Sequence, residues 1–180
     1  MKFAVETKLG PEELEAYHRI TGKSVKRTKL AVIQGALLLV GVAAILAGMS
    51  ALLQVAFGVM PVVCVVAGAS MVALGVNYYR YLTWKSEKRI GAGMDEQNFF
   101  FQEDLLVAQS KAERVVHNYG DFKTVVEAQD YFALFLNKRQ GYLLPKKGFF
   151  QGDPAEFSAF MEGVTGKKVI AVSIKSRKSR

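Results

Sequence analysis

The sequence predicts an α+β membrane protein: a two-helix transmembrane hairpin inserted into a cytoplasmic antiparallel β domain that ends in a helix. Three observations predict it. No charged residue lies between Lys29 and Arg80, short strand-like runs separated by turn residues fill the chain after Gly93, and Phe3 and Val5 alternate in a short segment ahead of the apolar block. An apolar fraction of 51% and a mean hydropathy of +0.15 over 180 residues agree that part of the chain faces lipid.

The uncharged block is too long for one span, since a bilayer core takes ~20 helical residues. It divides into spans at about 31–52 and 61–81 within a hairpin region of residues 30–82. Pro61 suits a first helical turn, where its missing amide hydrogen has no partner to lose, and Gly58 suits the tight turn before it. Buried helices of a soluble protein are excluded because the remaining residues are too few to cover two such cylinders. A cleaved signal peptide does not fit an apolar run that begins after 29 mixed-charge residues.

Orientation follows from the basic flanks, which are retained on the cytoplasmic side. Lys23, Lys26, Arg27 and Lys29 precede the first span and Arg80, Lys85, Lys88 and Arg89 follow the second, whereas residues 53–60 contain no Lys or Arg. The expected location is therefore the cell or inner membrane, multi-pass, with both termini cytoplasmic. Tyr78, Tyr79, Tyr81 and Trp84 cluster where the second span would meet headgroups. Gly41, Ala44 and Gly48 in one span and Gly68, Val72 and Gly75 in the other recur at helical spacing, which suits close packing of the hairpin on itself.

Ahead of the spans, residues 1–29 hold a strand near 2–7 and a helix over 11–20 with Leu14, Tyr17 and Ile20 on one face. A lone strand must pair to satisfy its backbone, so residues 2–7 are expected to join the sheet of residues 94–164. Phe3 and Val5 would then face the core, with Val5→Asp disruptive and Thr7→Ala nearly neutral. After a joint at Gly91-Ala92-Gly93, strands are expected at 98–101, 105–108, 114–119, 124–128, 131–136 and 141–144, a meander curling into a sandwich or half barrel. Asp153 as cap, Pro154 at the first position and Glu156 three after the cap start a final helix, with Phe157, Phe160, Met161 and Val164 as its core stripe.

A meander closed by one helix is the layout of a pleckstrin-homology-like (PH-like) domain, and the motifs resemble a known family. Tyr119-Gly120-Asp121-Phe122, Val126-Glu127, the aromatic run 131–135, Leu144-Pro145-Lys146-Lys147-Gly148-Phe149, then Gly152-Asp153 and Phe157 stand in order. In that order they are similar to the C-terminal region of YcxB-like membrane proteins. The resemblance extends through the N-terminal strand, helix and spans, and implies an architecture, a PH-like domain at 94–164, without catalytic residues.

Charge is unevenly divided. Residues 94–164 carry eleven acids against seven basic groups, while the tail, residues 165–180, carries six basic groups and no acid. An acidic folded region is a poor surface for a phosphate backbone, so no nucleic-acid partner is expected. The expected partners are the lipid bilayer, a protein, anionic lipid along the basic tail and a second copy of the chain. Candidate contacts for a partner or headgroup are Lys146, Lys147, Lys167, Lys168, Lys175, Arg177, Lys178 and Arg180. Lys146 and Lys147 also fit a solvated turn after Pro145, and the tail also fits a solubilising extension.

No cofactor or metal is expected, because Cys64, His18 and His117 have no ligand spacing. No nucleophile or paired-carboxylate motif appears, His117 lacks a local partner for base catalysis, and the Gly91–Gly93 joint lacks a phosphate-loop pattern. The leading functional expectation is a membrane-tethered, non-enzymatic interaction module binding a protein, peptide or lipid headgroup. An oligomeric transport or pore component is the alternative, disfavoured by spans without ionisable residues. A membrane-associated enzyme comes third.

Overall fold

The computed structural model describes residues 2–25, 27–54, 59–88, 95–138 and 140–174. Gly58, the Gly91-Ala92-Gly93 joint and the last six residues of the tail lie outside the described residues. The chain is α+β and forms two compact units: residues 1–26 with 83–180, and residues 27–82.

The second unit is a pair of apolar helices, α2 (Arg27–Gln54) and α3 (Val59–Val76). Both are long and apolar enough to cross a membrane, and only 11% of each apolar window is buried. Small residues set their approach. A methyl on Gly41 would meet the Gly68 carbonyl oxygen at 2.9 Å, and one on Gly48 the Pro61 carbonyl oxygen at 2.8 Å. The Gln34 amide donates to the Gly75 carbonyl at 3.1 Å, which gives a polar side chain in this unit an internal partner. The helix expected to run to residue 81 instead has an irregular residue at Asn77, after which α4 (Tyr78–Glu87) begins. The Asn77 side chain donates to the Ala73 carbonyl oxygen at 3.0 Å, beside the bond from its own backbone amide. Such local back-bonding competes with regular helix geometry.

In the first unit β1 (Phe3–Lys8) leads into α1 (Pro11–Lys23), and the sheets follow the apolar helices. The first sheet has the order β4 (Arg114–Asn118), β3 (Leu105–Ser110), β2 (Glu96–Phe101), β1 and β8 (Phe149–Gln151). The second has the order β7 (Gly141–Pro145), β6 (Tyr131–Phe135), β5 (Thr124–Glu127) and β9 (Ile170–Ala171). All pairings are antiparallel except that of β9 with β5. β1 pairs with β2 from Phe3 opposite Phe101 to Lys8 opposite Glu96, as its alternating pattern demands.

Phe3, Val5, Phe99, Phe101 and Leu106 of the first sheet share one core cluster with Val125, Phe132, Leu134 and Leu144 of the second. Phe157 and Met161 of α5 (Pro154–Thr165) belong to the same cluster. α5 begins where its cap requires: the Asp153 carboxylate accepts from the Ala155 amide at 2.8 Å, and Gly166 ends the helix in the left-handed region at φ 66°. The second sheet is apolar on its other face too, where Val126, Tyr131, Ala133, Phe135 and Leu143 pack with Ala16 and Ile20 of α1. Burial on both faces explains why the 131–135 run is continuously apolar.

Three expectations change. Thr7 is buried and its hydroxyl donates to the Leu143 carbonyl oxygen at 2.9 Å, so it is not a neutral position. β8 adds to the first sheet beside β1; three residues after a 3-10 turn are too few to show an alternation. The start of the basic tail is built into the domain as β9, since its apolar residues Val169, Ile170, Val172 and Ile174 outweigh the flanking lysines.

Candidate functional site

Lys146 and Lys147 lie in the 3-10 turn Lys146–Gly148 that follows β7. That turn lies close to β1, because a methyl on Gly148 would fall on the Glu6 carbonyl oxygen. Only glycine allows so close a backbone approach. The Lys146 ammonium is 2.6 Å from Glu127 Oε1 and 4.8 Å from the Phe132 ring centre. The other carboxylate oxygen accepts from the Ser158 hydroxyl at 2.7 Å. Glu127 thus joins β5, the 146–148 turn and α5 in one polar knot. The Lys146 hydrogen bond holds the Glu127 carboxyl below the usual carboxylate range, against the smaller opposing effect of burial, and Ser158 helps.

The remaining candidate cations do not converge with this pair. Lys147 is 75% exposed and lies 3.7 Å from Glu13 of α1. The Lys167 ammonium donates to the Phe122 carbonyl oxygen, and Lys168 is exposed. Lys175, Arg177, Lys178 and Arg180 lie outside the described residues. An outside phosphate at Lys146 would have to displace a carboxylate of the same chain.

Two arrangements have no sequence signal, because their members are far apart in the chain. His117 Nε2 and the Tyr142 hydroxyl are 2.7 Å apart, linking β4 at the edge of one sheet to β7 at the edge of the other. Burial raises the Tyr142 phenol, with Glu113 contributing. A shallow cleft of about 320 Å³ is lined by Lys2, Phe3, Gly152, Glu156 and Phe160, with aromatic walls and one charge of each sign. Among the described residues no group of three or more His, Cys, Asp or Glu side chains could hold a metal ion.

A third arrangement is partly filled by the chain itself. β5 is bordered by β6 on one side and by the short β9 on the other, with Val126 opposite Ile170 and Glu127 opposite Ala171. The Val172 amide donates to the Glu127 carbonyl at 2.8 Å, and the Lys23 ammonium donates to the Ser173 carbonyl at 2.6 Å. Ile174 is buried in the cluster that contains Ala16, Ile20 and Val126.

The turn that opens the ordered run of motifs is held by the same fold. Tyr119 opens a 3-10 turn, and its hydroxyl donates to the Gln102 carbonyl at 2.7 Å, which ties that turn to the β2–β3 connection. Burial pushes its phenol far up.

Residues 101–162 match the model of the YcxB-like protein family. No curated protein and no solved structure matches the chain. The resemblance read from the motifs is thus borne out over the YcxB-like stretch, which runs from the last residue of β2 into α5. β1, α1, both apolar helices and β9 lie outside the match. The YcxB-like stretch therefore lacks pieces of its own sheets: β1, which separates β2 from β8, all of β2 but Phe101, and β9, which borders β5.

Proposed function

We propose that the chain is a membrane-tethered docking module: α2 and α3 cross the bilayer as a hairpin, both termini are cytoplasmic, and a PH-like domain binds a protein, peptide or lipid headgroup. The observation that carries this reading is the six-residue pairing of β1 with β2, the strands on either side of the hairpin in sequence. The hairpin is then an insertion between two adjacent strands of one domain, so the chain leaves and re-enters the same folded body. Double attachment limits reorientation of that body, which suits presentation of a fixed binding face.

The membrane assignment is supported by side chains such as Leu39, Leu53 and Val59, which are 75%, 85% and 80% exposed. Two helices with so much uncovered apolar surface are stable in lipid and prone to aggregate in water. The PH-like reading is supported by four sequential strands in one sheet, three in the other, and α5 packed in the shared core.

The test is affinity capture from solubilised membranes, comparing the full chain with one lacking residues 94–164. A partner held by the full chain alone is expected. Solute flux through reconstituted liposomes, with no captured partner, would replace this reading by the transport alternative.

A further inference from the structure

Without β9, β5 would be an open edge whose amide and carbonyl groups face outward beside an apolar strip of α1. Such an edge is a template for an added strand. The present occupant is slight. β9 has two paired residues, Ile170 is 46% exposed and Ala171 is exposed, and among residues 170–174 Ile174 alone is fully buried. Val172 is half-buried against the same cluster, its amide donates to the Glu127 carbonyl, and the Lys23 ammonium donates to the Ser173 carbonyl. The segment is anchored upstream, where the Val169 amide donates to Glu162 Oε1 at 2.7 Å and Lys167 reaches the Phe122 carbonyl. The part beyond this anchor can therefore leave without unfolding α5.

The seated segment shows what the groove accepts. It takes an extended chain parallel to β5, with half-buried Val172 and buried Ile174 two residues apart, and a carbonyl offered to Lys23. Main-chain pairing reads no sequence, so selectivity falls to the pocket that holds Ile174.

We propose that the β5 edge and the facing side of α1 form a docking groove for an extended peptide of a partner protein, with an aliphatic residue in the Ile174 pocket. The chain's own Ile170 to Ile174 segment occupies the groove in cis until the partner displaces it. This rests on the reading of the domain as an interaction module and names its binding surface.

The experiment uses the full chain in detergent or nanodiscs. In hydrogen exchange, the Val172 amide should open about tenfold or more faster than the Ala128 amide, which is bonded to the Tyr131 carbonyl at 2.8 Å. Equal protection makes the segment an integral part of the core and overturns the proposal. A fluorescent synthetic peptide of residues 167–180 is then added to the intact chain and to one ending at residue 168. It should bind the shortened chain about tenfold or more tightly than the intact one, because the cis segment competes. A peptide carrying Ile174→Asp should not bind.

Equal binding to both chains, or binding unaffected by Ile174→Asp, overturns the groove. If the shortened chain loses its circular dichroism signal, the intact chain with Ile174→Asp replaces it, and failure of that chain to bind the native peptide is equally decisive. Differently tagged copies that co-purify through Ile174 would make the occupant a second copy and overturn the partner assignment. A membrane partner captured equally with and without residues 169–180 would leave the module reading standing and remove the groove.

Discussion

The Thr7 hydroxyl donates to the Leu143 carbonyl oxygen across 136 residues of chain, joining a strand that precedes the apolar helices to the sheet that follows them. Its donor is in β1 and its acceptor in β7, so this one bond also ties the two sheets together. Thr7→Val removes the donor, keeps the shape and leaves a buried carbonyl without that partner, at a cost of about 1 kcal/mol. Thr7→Ser should retain most of the stability. Val5→Asp places a carboxylate at a position with no exposure and should cost about 3 kcal/mol or more. Thermal unfolding of the three variants in detergent checks the order: if Val5→Asp melted with the native chain, β1 would not belong to the core.

Close approach of the apolar helices predicts a different sensitivity. A methyl on Gly68 would lie 2.6 Å from the Gly41 carbonyl oxygen, so Gly68→Ala should destabilise the helix pair by about 1–3 kcal/mol. At Gly163, a helical position where an added methyl meets nothing, Gly163→Ala should stabilise the chain by up to about 1 kcal/mol. Melting curves that moved in the same direction for both would contradict this packing.

Glu127 predicts a loss of stability in acid. Its carboxyl lies below the ordinary value of 4.5, so the folded state binds its proton less readily than the unfolded chain does. The associated stability is present above the unfolded pKa and is lost as pH falls through the lowered folded value. Because the side chain is 35% exposed, screening keeps the effect to about 1 kcal/mol or less. Denaturant midpoints of the native chain and Glu127→Gln should differ at pH 7 and converge toward pH 3. Parallel curves across that range would show that the knot adds nothing.

The proposed topology predicts thiol reactivity. In a Cys64→Ser background, cysteines introduced as Lys2→Cys or Lys178→Cys should resist a membrane-impermeant reagent on intact cells and react after lysis. A cysteine placed within residues 53–60 should react on intact cells, because the proposed topology keeps the basic residues on both outer flanks in the cytoplasm. Labelling of position 2 or 178 on intact cells would reverse the orientation.

Features written in local pattern were legible in the sequence. The two apolar helices, the Asp153-Pro154 helix start and six strands within a residue or two follow from charge gaps, caps and alternation, which depend on neighbours a few positions apart. That β1 joins a sheet built after the apolar helices was legible as well, because Phe3 and Val5 need a core and a lone strand must pair; that it lies between β2 and β8 was not. Tertiary structure alone decided that Lys146 lies against Glu127 and Ser158, that His117 meets Tyr142 between sheet edges, that Thr7 reaches Leu143, and that Ile174 fills a groove beside α1. Each of these contacts joins residues on separate elements. Their distance is set by how two twisted sheets and two helices pack, and no periodicity in the chain encodes that.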